Sequence, residues 1–156
     1  MWKRLLPGVF GVIGLVVWRR IFGGDSRERK ASGEEVAKTL RDKLSSMSGQ
    51  EFEQYIAEVF RKTGSKVDIV GGPGDQGVDL LVKLGRKRVA VQCKLHTKPV
   101  GRAAFSEVYA GAKHHGASQA WLVAPGGFTP AAEELAKSTK VQLFDLATVR
   151  GLLHKD

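Results

Sequence analysis

Residues 74–94 read GDQGVDLLVKLGRKRVAVQCK, and the alternation within this stretch decides the fold. Gly77–Leu84 and Arg88–Leu95 have strand character and flank the turn Gly85-Arg86-Lys87, which predicts a hairpin. Successive side chains of a strand point to opposite faces. On the second strand Val89, Val91, Cys93 and Leu95 then face one way, and Ala90, Gln92, Lys94 and His96 the other. On the first, Asp79, Leu81 and Lys83 share a face against Val78, Leu80 and Val82. Gln92 and Lys94 side by side on an otherwise apolar strand require a polar group over them. Asp79, on the opposing strand, is the carboxylate available for that role.

The elements around the hairpin follow from periodicity and punctuation. Upstream, Val36, Leu40, Leu44 and Met47 recur at helical spacing, predicting an amphipathic helix over Glu34–Met47. Ser48-Gly49-Gln50-Glu51 has the S-x-x-E form of a capping box. It opens a second helix with Phe52, Tyr55, Ile56, Val59 and Phe60 on one stripe and Gly64 as its stop. Lys66–Val70 is a short strand, and Gly71–Gly74 reads as turn-forming residues. Downstream come a helix over Arg102–His115, a strand over Ala120–Ala124, and a helix opened by Thr129-Pro130. A strand over Val141–Phe144 and a helix over Leu146–Leu153 complete the chain. This order predicts an α/β fold, a mixed β-sheet flanked by helices. Trp121, on an apolar strand, belongs to the core.

A chain of 156 residues is one domain's length with room for a short extra element. Its 42% hydrophobic and 26% charged residues exclude a wholly disordered chain, a collagen and a multi-span membrane protein. The single cysteine, Cys93, excludes a disulfide-stapled fold and a multi-cysteine zinc site. His96, His114, His115 and His154 lack metal-binding spacing and read as structural or surface residues. The net charge of +9 favours a polyanionic partner, nucleic acid or an anionic membrane surface.

That charge is unevenly placed. Residues 1–30 carry seven basic and two acidic side chains, while residues 51–156 carry fifteen and eleven. The first segment contains LLPGVFGVIGLVVW, Leu5–Trp18, uncharged and bracketed by Lys3-Arg4 and Arg19-Arg20. The run is short for a spanning helix, but snorkelling basic residues together with Ile21 and Phe22 extend its reach. The expectation is an N-terminal apolar, transmembrane helix with the following domain facing the cytoplasm. A buried core helix is the competing reading. The expected organisation is a membrane anchor at 1–22, a polar linker (23–33) and amphipathic helix over 23–47, and a folded domain at 48–156.

Asp79 set against Gln92 and Lys94 has the chemistry of phosphodiester hydrolysis. A carboxylate holds Mg²⁺, the ion activates water, and a lysine orients that water and offsets developing negative charge. Asp79 with Gln92-Cys93-Lys94 resembles the PD-(D/E)xK nuclease signature in its QxK variant. Phe52-Glu53, Gly74-Asp75-Gln76-Gly77-Val78-Asp79, Val91–Lys94, and Phe128-Thr129 with Ala131-Ala132 together resemble the Mrr-like restriction endonuclease domain, over roughly residues 48–153.

The resemblance implies a restriction-endonuclease-like fold and Mg²⁺- or Mn²⁺-dependent cleavage of DNA. It implies Asp79 as main metal ligand, Gln92 in place of the usual second carboxylate and Lys94 as catalytic lysine. Glu53 would add a carboxylate from the helix, the backbone carbonyl of Cys93 a further ligand, and Asp75 support in the loop. Cys93 itself points its side chain away from the site, as a small core residue. Two departures from the family pattern stand out: Gln92 is neutral, and Leu95-His96 stands where the family often has a basic residue and an aromatic. Arg86, Lys87, Lys98 and Arg102 are candidates for sequence-independent contacts to the DNA backbone. With no separate target-recognition domain visible, specificity would come from loops, a homodimer or a partner. Two alternatives accompany the endonuclease reading. One is a nucleic-acid-binding module that keeps the fold but cleaves poorly, on account of Gln92. The other is a resolvase or repair nuclease that selects DNA by structure.

Overall fold

A capping box starts the helix that covers one face of the sheet. In the computed structural model, which describes residues 29–153 except 73, 75 and 140, Ser48 Oγ accepts from Glu51 N (3.3 Å). Glu51 Oε2 in turn accepts from Ser48 N (2.6 Å). These bonds satisfy two backbone donors at a helix start that would otherwise be unpaired. Ser48→Ala is expected to destabilise the fold by about 1 kcal/mol, read as a lower midpoint in denaturant unfolding. The same hydrogen bonds, the backbone one foremost, hold the Glu51 carboxyl below its ordinary pKa. Its contribution is therefore present above the ordinary carboxylate range and fades as pH falls through the depressed value.

The elements in order are α1 (Arg29–Ser45), α2 (Gly49–Lys62), β1 (Lys66–Ile69), β2 (Leu80–Leu84), β3 (Lys87–Cys93), α3 (Arg102–His114), β4 (Gln119–Val123), α4 (Pro130–Ser138), β5 (Val141–Phe144) and α5 (Leu146–Leu153). One five-stranded sheet has the order β1-β2-β3-β4-β5. The β1–β2 and β2–β3 pairs are antiparallel, and β3–β4 and β4–β5 are parallel. The mixed sheet agrees with the expectation, and β5 and α5 carry the expected boundaries.

Helix α1 begins at Arg29, inside the segment expected to be linker. Arg29, Lys30 and Ala31 are good helix formers, which lets the helix extend upstream past Gly33. The apolar run 5–22 lies outside the described residues. Among those residues no helix is long and apolar enough to cross a membrane.

Side-chain alternation divides the core into two layers. Val67, Leu80, Val82, Val89, Val91, Cys93, Trp121 and Val123 face the layer containing Phe52, Ile56, Val59 and Phe60 of α2, with Leu40 and Leu44 of α1. Ala90, Ala120 and Leu122 face Phe105, Val108 and Ala112 of α3. Trp121 packs between Phe60 and Phe144, with ring centroids 5.5 and 4.9 Å away.

Two strand details differ from expectation. The hairpin strands are Leu80–Leu84 and Lys87–Cys93, joined by the two residues Gly85 and Arg86, with Leu84 opposite Lys87. Gly85 has φ 59°, the conformation a two-residue hairpin favours at its first loop position. Upstream, Gln76 (φ 55°) and Gly77 (φ 73°) are left-handed, which prevents the strand from starting at Gly77. Val78 therefore leaves the Leu80–Val82 face and is buried in the α3 layer with Leu81.

Candidate active site

Strand β3 ends at Cys93, and the groups singled out by the sequence gather around that end. Asp79 lies just before β2, and its N–H donates to Val91 O (2.8 Å), continuing the hairpin by one residue. Its carbonyl accepts from both Val70 N (2.8 Å) and Gly71 N (3.2 Å), tying it to the end of β1. Asp79 Oδ2 accepts from Cys93 N at 2.6 Å. The carboxylate is thus locked against the backbone of the Gln92-Cys93-Lys94 segment.

Glu53 approaches from helix α2. A methyl group placed on Gly71 would lie 3.2 Å from Glu53 Oε2 and 3.5 Å from Asp79 Oδ1. The two carboxylates therefore converge over one glycine, and the absence of a side chain there leaves them room. Both negative charges reach Cys93. Burial foremost, then Asp79 and Glu53, push its thiol pKa well above the ordinary value. Cys93 is 9% exposed and its side chain packs in the α2 layer, as expected of a core residue. It should resist alkylation by iodoacetamide in the native protein and react once the chain is unfolded in denaturant, read by intact mass.

On the α3 side Gln92 is 2% exposed, a buried polar residue in an apolar strand. Its Nε2 donates to Glu107 Oε2 at 2.9 Å, and Lys94 Nζ lies 3.5 Å from the same oxygen. Gln92 Oε1 is buried without a hydrogen-bond partner among the described residues. Glu107 was not among the residues selected by sequence. The available signal was its place at i+3 on the Ala104–Val108–Gly111 stripe, the sheet-facing side of α3. Only the register of β3 under that helix reveals what it meets.

The basic candidates separate. Lys98 is exposed in the loop after β3, and Arg102 is the first residue of α3, so both lie at the site's end of the sheet. Arg86 and Lys87 lie at the other end of β3, about 20 Å away at the usual strand rise. There, with Lys83 and Arg88, they border an open basic concavity. Asp75 lies outside the described residues. His96 is exposed.

The donor set fits a hard cation of the Mg²⁺ type. Such ions are held by one or two carboxylates with neutral oxygens and substrate phosphates completing the shell. Among the described residues no group of three or more His, Cys, Asp or Glu converges. The protein's contribution would be Asp79 and Glu53 with neutral oxygens, and the unpartnered Gln92 Oε1 is one buried oxygen of that kind.

A restriction endonuclease family matches residues 44–153. Over 113 residues the chain is 29% identical to the type IV methyl-directed restriction enzyme EcoKMrr of Escherichia coli K12, an alignment covering 67% of this chain and 37% of that enzyme. The chain thus spans little more than a third of that relative's length. Among solved structures, the DNA modification-dependent restriction endonuclease AspBHI superposes with TM-score 0.57 at 19% identity, over 83% of this chain and 36% of that one. A repair endonuclease from Pyrococcus abyssi superposes with TM-score 0.51 at 20% identity, over 64% and 47%. These likenesses show the restriction-endonuclease-like fold, as expected from the strand and helix order.

Proposed function

Because the chain belongs to the Mrr catalytic-domain family of restriction endonucleases, we propose that it is a divalent-metal-dependent deoxyribonuclease. It would hydrolyse phosphodiester bonds at the end of β3. One observation carries the reading: two carboxylates, a buried amide and a lysine gather around the last residues of a single strand.

Asp79 and Glu53 would hold Mg²⁺ or Mn²⁺, with Gln92 Oε1 and the Cys93 carbonyl as neutral donors. When bound, the ion polarises the phosphate and activates water. Asp79 is held for this task by the Cys93 N–H, which fixes one oxygen and the plane of its carboxylate. Lys94 places a positive charge beside the reacting phosphate and offsets the charge that develops there. Lys98 and Arg102 lie at the same end and supply backbone contacts that position DNA without reading its sequence. Residues 48–156 form the nuclease domain in this reading.

Conversion of supercoiled plasmid to nicked and linear forms in Mg²⁺ or Mn²⁺ buffer tests the activity. EDTA should stop it, and equal nicking in EDTA would overturn metal dependence. The neutral Gln92 favours a second reading, a DNA-binding module of low turnover. DNA binding without metal and without cleavage would support it.

The apolar run 5–22 supports a membrane anchor ahead of the domain. Full-length protein should stay with membranes through a carbonate wash, while a chain starting at Ser32 is released. Release of both would reject the anchor.

A further inference from the structure

Gln92 poses a problem that its hydrogen bonds solve. A glutamine amide carries a donor end and an acceptor end of nearly equal size, and only its partners decide which end points where. At position 92 that choice matters, because the oxygen can face a cation and the NH₂ group cannot. Glu107 presents Oε2 to two donors, Gln92 Nε2 and Lys94 Nζ, so this oxygen acts as the acceptor of the cluster. The contact of 2.9 Å is made by Gln92 Nε2, so the amide oxygen points away from Glu107. That oxygen is the atom left buried and without a partner.

The Glu107 side chain is half exposed, but its Cβ end is pinned by the neighbouring loop. A methyl group on Gly77 would lie 2.8 Å from Glu107 Cβ and 3.1 Å from Gln92 Nε2. Gly77 is left-handed at φ 73°, which lets the 76–78 loop press onto the Gln92–Glu107 pair. One turn along α3, Gly111 packs against the backbone of Gln76.

We propose that Glu107 is a positioning residue of this site: it fixes the polarity of the Gln92 amide, with the oxygen presented to the metal position, and draws Lys94 to the same side. The proposal rests on the nuclease reading of residues 79–94. It assigns to helix α3 a part in metal binding, although Glu107 itself is not a ligand.

The test is calorimetric titration of Mn²⁺ into the full chain without DNA, alongside plasmid nicking, with folding checked by circular dichroism. Glu107→Gln is nearly isosteric and keeps a hydrogen bond to Gln92, but an amide pair forms with either polarity. It should weaken Mn²⁺ binding about 10-fold, the lower end of the usual effect of residues behind a metal ligand. Gln92→Glu alone brings two carboxylates to hydrogen-bond distance with only Lys94 Nζ, 3.5 Å from the Glu107 oxygen, to offset them, and should bind no better than Glu107→Gln. The double variant Gln92→Glu with Glu107→Gln reverses the pair, the amide at 107 now donating to the carboxylate at 92. It should recover Mn²⁺ affinity to within about twofold of wild type.

A role in packing alone predicts the opposite. Glu107→Gln would then bind Mn²⁺ like wild type, or the double variant would be no better than Gln92→Glu, and either result overturns the proposal. A wild-type chain that binds Mn²⁺ and cuts plasmid while Glu107→Gln binds equally well rejects the positioning role alone. A folded wild-type chain that neither binds Mn²⁺ nor cuts rejects the nuclease reading and the proposal together.

Discussion

Asp79→Asn is expected to leave the chain folded and to reduce plasmid nicking by about 10³-fold or more. The substitution keeps the shape of the side chain and an oxygen able to accept from Cys93 N, the bond of 2.6 Å that fixes the residue. It removes the negative charge on which the proposed role of Asp79 as ligand of a hard cation rests. Loss of a single neutral donor at a reacting centre already lowers rates by about 10²–10³-fold, and loss of the main anionic ligand should exceed that. Asp79→Ala should be equally inactive and in addition less stable. It leaves the Cys93 N–H unpaired in a part-buried position, at a cost of about 1–3 kcal/mol. Lys94→Ala should also stop cleavage, without that stability loss. Nicking by Asp79→Asn and Lys94→Ala at the wild-type rate would remove the assignment of the site.

The largest effect on stability is expected at a residue with no functional group. Gly111 sits in the middle of α3, where an exposed Gly→Ala change would favour the helix by about 1 kcal/mol. Here an added methyl group would run into the Gln76 carbonyl oxygen and come within 2.5 Å of Val78 Cγ2. The nearer neighbour is backbone, which cannot yield by a rotamer change. Gly111→Ala should therefore destabilise the fold by about 1–3 kcal/mol or more, the usual range for overpacking. It should also lower nicking, because Asp79 follows directly on the displaced 76–78 loop. Gly49→Ala, with nothing within 4 Å of the added methyl, serves as the control and should unfold like wild type. Equal denaturation midpoints for the two variants would show that α3 does not press on the loop.

The element order was readable because its signals are local. The Ser48–Glu51 box, the Thr129-Pro130 start and the apolar stripes need no knowledge of distant partners, and each stands where expected. Asp79, Gln92 and Lys94 were readable for a related reason, since strand alternation brings them together once the hairpin is granted. Alternation failed at Val78, whose face is set by the left-handed Gln76 and Gly77. The rule assumes an extended backbone, and these residues end it. Glu107 was hidden for a different reason. A lone glutamate on a helix is usually solvated, and this one, half exposed, is distinguished only by meeting Gln92 and Lys94 where α3 lies over β3. Arg86 and Lys87 were grouped with the site by charge, although the length of β3 places them at its far end.

The site's two defining side-chain hydrogen bonds close loops of only 14 and 15 residues. All the described polar groups of the proposed site lie between Glu53 and Arg102 or on the next turns of α3, ahead of β4. The later elements complete the sheet without adding a reacting group. The end of α4, where Ser138 is exposed, is accordingly a natural place to graft a second module. Such a chimaera would carry a new DNA-binding part while inheriting the proposed cutting centre unchanged.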